Sequence, residues 1–238
     1  MSAPKISDLP EARAGTVVST HDTDFLHALL HDLRGPVSRM RMLGELVTRR
    51  AVGLDPEIET LLGHIKTSAT AAEDVLDAVR RYTEALHWVR RPMRFDLNLA
   101  VNSAVTRNAE QVAATGALVT RNDLPVIEAD MVQMSVLFEE LIANSLRFRS
   151  AEPPIIEVSA EIAMEGSHGV CLISVIDNGI GLSDSALERI FKPLAKASDR
   201  SGAGMGLAIC RRIVELHGGE IQAIALPQGS EFRVRLPQ

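Results

Sequence analysis

The chain is 238 residues long, 46% apolar, with a formal charge of −6. That is enough apolar material for two modest cores, and it gives no positive footprint for nucleic acid or an anionic membrane surface. No apolar run approaches the roughly 20 residues of a membrane span, and the opening MSAPKISDLPEARAG lacks the apolar stretch of a signal peptide, so a cytoplasmic protein without membrane insertion is expected.

Residues 1–20 mix Ser, Pro, Ala, Gly and charge without periodicity and read as a flexible tail. From Leu26 onward, Leu30, Leu33, Val37, Met40, Gly44 and Val47 recur at spacings of four and three, the seam of a coiled-coil helix. The stretch RRAVGLDPE breaks the pattern, and Asp55-Pro56 reads as a new helix start. A second apolar stripe runs from Ile58 through Leu86 toward the break at Arg91-Pro92. Residues 21–91 are therefore expected to form an antiparallel helical hairpin. Two helices have too few layers to bury both stripes, so a homodimeric four-helix bundle is the expected solution, with a monomeric hairpin covered by the rest of the chain as the alternative.

Residues 92–238 change grammar. A short strand, RFDLN, leads to a helix over 98–115 and a strand in ALVTRND. A helix over about 130–148 carries Met131, Met134, Leu137, Phe138, Leu141, Ile142 and Leu146 on its apolar side. Strands IIEVSAEIA and GVCLISVID flank the turn-like MEGSHG. A short helix near 185–190, a loop, and a helix over about 204–217 ended by Gly218-Gly219 follow, before strands GEIQAIAL and EFRVRLP around the turn PQGS. The pattern predicts an α+β sandwich with helices on one face of a mixed sheet. Cys171 and Cys210 fall in apolar runs and are expected to be buried free thiols rather than a disulfide or metal site.

Four constellations carry chemistry. In the first helix, His31 sits one residue past the seam, beside Asp32, with Pro36 downstream unable to donate to the carbonyl of Asp32. An imidazole there can attack an electrophile while the carboxylate takes up or balances its proton. In LFEELIANSLRFR, Glu140, Asn144 and Arg147 share one helical face; an amide oxygen suits a hard cation and a guanidinium suits phosphate oxygens. Asp177-Asn178-Gly179-Ile180-Gly181 follows an apolar strand, where a carboxylate can accept from an exocyclic amine beside glycines that permit close approach, although Asp-Asn-Gly is also a common turn. Finally, Gly202-Ala203-Gly204-Met205-Gly206 enters a helix, as in a backbone cradle for phosphates, but no Lys-Ser/Thr follows as in a Walker loop.

In this order the segments resemble the H-box, N-box and two glycine boxes of two-component sensor histidine kinases, with Ile190-Phe191-Lys192-Pro193-Leu194 similar to their F-box. The similarity is to the kinase module of bacteriophytochrome-like members and covers residues 25–238. It implies a dimerisation hairpin followed by a Bergerat-type ATP-binding domain, with ATP and Mg²⁺ as cofactors. It further implies that His31 accepts the γ-phosphate with Asp32 as base, and that Asn144 holds the metal. Asp177, Gly179 and Gly181 would then bind the adenine side, and Arg147, Lys196, Gly202, Gly204 and Gly206 the phosphates. The implied partners are a second copy of the chain and the receiver domain of a response regulator. A separate sensor protein supplies the signal, or the chain is a fragment of a longer one.

Three departures stand out. Gly35 occupies a place where many members carry Thr or Asn for dephosphorylating the regulator, which puts phosphatase activity in doubt. Ala203 replaces a usual hydroxyl residue while keeping the backbone cradle. Glu140 replaces the first Asn of the N-box and is similar in place to the general base of gyrase-type ATPases, so that it could orient Asn144 or a metal-bound water. The loop 195–201, with Lys196 and Arg200, reads either as a lid over the triphosphate or as a solvated loop. Rival readings are a histidine phosphotransferase whose second domain does not use ATP, and a serine kinase or plain ATPase suggested by Glu140.

Overall fold

The computed structural model describes the backbone of residues 20–50, 56–195 and 203–238, and the side chains from Leu30 on within them, apart from residues 31, 50 and 56. Of the expected tail over 1–20, Thr20 already belongs to a helix and residues 1–19 lie outside the described residues, as do the interhelix segment with Asp55 and the loop holding Lys196, Arg200 and Gly202.

Helix α1 spans Thr20–Arg50 and runs through Pro36; α2 spans Pro56–Leu86. Their pairing is antiparallel. Arg34 reaches Asp77 at 3.4 Å, Ser38 donates to Glu73 at 2.6 Å, Arg41 donates to Glu73 at 2.8 Å, and Gly44 faces Ile65. Within one chain the hairpin buries Leu30 and Ala69 but leaves Leu33, Met40, Leu43, Leu61 and Ile65 each at least 44% exposed. Much of the apolar surface of the hairpin therefore stays open to solvent within one chain.

The remaining described residues form β1 (Met93–Asp96), α3 (Leu97–Arg107), α4 (Ala109–Thr115), β2 (Leu118–Arg121), β3 (Val126–Ala129), α5 (Met131–Arg147), β4 (Ile155–Glu165), β5 (His168–Asp177), α6 (Asp184–Leu187), α7 (Gly206–Leu216), β6 (Glu220–Ala225) and β7 (Ser230–Pro237). Strands β2-β4-β5-β7-β6 make a mixed sheet in that order, in which only the β2–β4 pair is parallel. Alternation does the sorting: Ile156, Val158 and Ala160 of β4, Ile173 and Val175 of β5, and Phe232 and Val234 of β7 point to one face and are buried there. Against them pack Leu137, Phe138, Leu141 and Ile142 of α5 and Ile209, Ile213 and Val214 of α7, all at most 2% exposed. Each such side chain contributes on the order of 1.5–3 kcal/mol. Both cysteines lie buried and unbridged.

The expected helix over 98–115 is two helices. At Asn108 the side-chain amide donates to Ala104 O at 3.0 Å and to Glu139 O of α5 at 3.3 Å, and its φ/ψ of −96°/7° leaves the helical region. A short amide competing for backbone partners breaks the helix. Strand β3, which the sequence reading did not single out, pairs antiparallel with β1. The turn in MEGSHG shrinks to Gly166-Ser167, because Glu165 and His168 already pair. Helix α6 ends at Leu187, short of the expected 190.

Helix α2 stops at Leu86, before the expected break at Arg91-Pro92, because the following segment is tied to the sheet domain. Asp130 caps α5 by accepting from Val132 N and Gln133 N, and its other oxygen accepts from Arg91 N at 2.9 Å. Gln133 donates to Val89 O. Buried His217 completes the knot, with Nε2 accepting from Asp130 N at 3.0 Å and Nδ1 bonded to Ile213 O at 2.8 Å. That pairing requires the neutral ring with the proton on Nδ1, and burial holds the imidazole pKa below its usual value.

Candidate functional site

Asp177 is the last residue of β5 and keeps the inward parity of Ile173 and Val175, so the strand that builds the core also drives a carboxylate beneath α5. It is 6% exposed. Its Oδ2 accepts from Ser230 Oγ at 2.8 Å and Ser145 Oγ at 3.2 Å, and its Oδ1 accepts from Gly179 N at 2.8 Å. Ser230 is its register partner on β7, and Ser145 sits on the buried side of α5. Hydroxyls from α5 and β7 and a backbone N–H of the turn after β5 fix the carboxylate in one orientation.

Above this floor opens a pocket of about 960 Å³, counting its mouth. Its apolar walls include Ile180, Leu182, Ile190 and Leu207, and its α5 wall presents Glu140, Ala143, Asn144 and Arg147. The one-face reading of Glu140, Asn144 and Arg147 thus corresponds to a shared wall. Such a cavity suits a ligand with a flat, amine-bearing ring and an anionic tail.

The glycines serve different ends. At Gly204, with φ of +68°, a Cβ would lie 2.3 Å from Ala195 O, so the two ends of the undescribed loop meet at a point no other residue permits. At Gly206, the first residue of α7, a Cβ would lie 2.4 Å from Glu140 Oε2. Gly181 is on the pocket wall, whereas Gly179 packs behind it, where a Cβ would lie 2.6 Å from Phe148 O. Phe191 of the F-box-like segment stacks edge-on against Phe232 at a centroid distance of 6.4 Å, which anchors the near end of the loop to β7.

A second, open cleft adjoins the pocket and shares Glu140, Arg147, Gly204 and Gly206 with it. Its far wall is α2, through Asp74, Asp77, Ala78 and Arg81. Arg81 Nη2 donates to Glu140 Oε1. Burial raises the Glu140 pKa, and Arg81 opposes that shift. His31 lies on α1, its side chain outside the described set; Asp32 is exposed on the same helix and lines neither cavity. Among the described residues no group of three or more His, Cys, Asp or Glu side chains could hold a metal. A single amide, Asn144, fits a cation that keeps most of its water and phosphate ligands, as Mg²⁺ does.

Sequence reading singled out neither Ser145, Ser230 nor Gly229, which surround Asp177, nor Arg81. Parity along β7 offered a signal for Ser230, two residues before buried Phe232. Nothing in the sequence joins Arg81 to a glutamate 59 positions away.

Residues 129–238 match the family model described as histidine kinase-, DNA gyrase B-, and HSP90-like ATPase. The chain is 31% identical over 218 residues to cyanobacterial phytochrome A of Nostoc sp., covering 90% of this chain and 28% of that protein. It is 25% identical over 248 residues to the autoinducer 2 sensor kinase/phosphatase LuxQ of Vibrio vulnificus, covering 100% of this chain and 29% of that one. The chain therefore spans less than a third of these relatives. Among solved structures it resembles full-length ShkA in complex with AMPPNP, with a TM-score of 0.65 and 21% identity over 90% of this chain and 45% of that one. It also resembles histidine kinase ThkA in complex with the response regulator protein TrrA, with a TM-score of 0.62 and 20% identity over 90% of this chain and 61% of that one. Among the described residues no helix is long and apolar enough to cross a membrane.

Proposed function

We propose that this chain is the catalytic core of a sensor histidine kinase, a reading supported by its similarity to the family model and relatives above, and that it transfers the γ-phosphate of ATP to His31 and passes it on to an aspartate of a response regulator. The observation that carries the reading is the fixed carboxylate of Asp177 at the floor of a pocket whose other end gathers Asn144, Arg147, Gly204 and Gly206.

Asp177 accepts from the adenine amine, with Gly181 allowing close approach of the ring. Arg147 and the backbone at Gly204 and Gly206 hold the phosphates, joined by Lys196 and Gly202 from the loop. Asn144 would hold a Mg²⁺ ion, which when bound neutralises charge on the phosphate oxygens. A ring nitrogen of His31 attacks the γ-phosphorus in line, the bond to the β-phosphate oxygen breaks, and ADP leaves. Asp32 takes the proton released by the imidazole. The phosphoryl group then moves to a receiver carboxylate, which restores His31.

The reaction unit proposed is a homodimer, supported by the uncovered apolar stripes of α1 and α2. Its setting is the cytoplasm, where ATP and receiver domains meet, and a separate sensor protein or a further segment supplies the signal. Incubation with γ-labelled ATP and Mg²⁺ tests the scheme. The chain is expected to take up acid-labile label, and His31→Gln to take up none. A chain labelled only by a phosphorylated receiver would be a phosphotransferase, and acid-stable label surviving His31→Gln would mark a serine kinase.

A further inference from the structure

The pocket and the adjoining cleft share the wall formed by Glu140, Arg147, Gly204 and Gly206, so the end of the pocket assigned to phosphates opens directly onto α2. Arg81 stands at that opening, on the hairpin side. Its side chain is 42% exposed while its partner Glu140 is 13% exposed, so the guanidinium lies toward the cleft and the carboxylate lies inside. Only one amino group of the guanidinium is committed to Glu140. The planar fork carries five donors, which leaves the rest free to turn toward a second oxyanion. The carboxylate it holds is poorly solvated and packed against the start of α7.

We propose that Arg81 is a nucleotide-contacting residue contributed by the hairpin: it is parked on Glu140 when the pocket holds no triphosphate and turns onto the terminal phosphate when a nucleoside triphosphate fills it. The proposal rests on the ATP reading above and adds a specificity determinant to it. A diphosphate ends short of the opening and leaves Arg81 on Glu140, whereas a triphosphate extends to it. The hairpin thereby distinguishes substrate from product, and departure of the terminal phosphate returns the guanidinium to the carboxylate.

Binding of a non-hydrolysable ATP analogue and of ADP, each with Mg²⁺, to the full chain tests this. Removing Arg81 alone would strand a buried carboxylate, so the comparison is made between Glu140→Gln and the double variant Arg81→Gln/Glu140→Gln. Adding the Arg81 substitution is expected to weaken the triphosphate analogue on the order of ten-fold, as loss of a charge-assisted hydrogen bond does, and to leave ADP within about two-fold. Arg81→Lys in the otherwise native chain keeps the charge but loses the fork; it should lower the triphosphate preference part of the way without shifting the unfolding temperature of the nucleotide-free protein. Equal weakening of both nucleotides, or no change in their ratio, would overturn the proposal while the ATP reading stands. Failure of the native chain to bind either nucleotide would overturn both.

Discussion

A methyl group at Gly229 would sit 1.7 Å from the backbone oxygen of Asp177, and the residue's φ is +80°. Gly229→Ala must therefore either strain the β6–β7 turn or push Asp177 off its three donors. A loss of more than about 2 kcal/mol of stability is expected, with nucleotide affinity falling in parallel, and denaturant titration together with nucleotide binding checks both. His217 makes stability depend on pH. The folded protein holds this imidazole neutral, with its pKa below the ordinary value of about 6.5. Its contribution is therefore fully present above that value and is lost as pH falls through it toward the lowered folded value. Melting temperatures compared across that window should drop more steeply for the native chain than for His217→Gln. The residue scale also marks where sequence reading stops. Asp177 was legible because Asp-Asn-Gly after an apolar strand is a local pattern, and Glu140, Asn144 and Arg147 were legible because a helix repeats every three to four residues. Ser145, Ser230 and Arg81 act on these residues from elsewhere in the fold, and no local period encodes a contact made across the chain.

At the scale of elements, amphipathic period was the reliable guide. It delivered α2 from its Pro56 start, α5 within a residue of each end, and the hairpin of β4 and β5. It failed where a tertiary partner overrode it: Asn108 breaks one helix by reaching to Glu139 O, and Asp130 and Gln133 draw the backbone beyond Leu86 out of α2. Strand β3 escaped because four residues pairing only with β1 carry too short an alternation to separate from a turn. One helical position gives a direct test of propensity. Gly63 lies inside α2, exposed, and a Cβ there meets nothing within 4 Å. Gly63→Ala is expected to stabilise the chain by about 0.5–1 kcal/mol in chemical denaturation and to leave nucleotide affinity unchanged.

In the assembled molecule the proposed dimer covers the hairpin. Leu61 is 56% exposed on the stripe it shares with Ile58 and Ile65, and the proposed dimer would bury it. Leu61→Glu should convert the sedimenting species from dimer to monomer while nucleotide binding by the sheet domain persists; an unchanged dimer would move the interface elsewhere. The hairpin's other end has a different character. Ala85 belongs to the same core as Phe138 and Ile213, Tyr82 and Trp88 pack against it, and Arg212 of α7 donates to the carbonyls of Ala85 and Leu86. The last turn of α2 is thus keyed into the sheet domain like a shaft into its housing. A change in the tilt of that helix would therefore be met first by α7, the element whose first residue abuts Glu140.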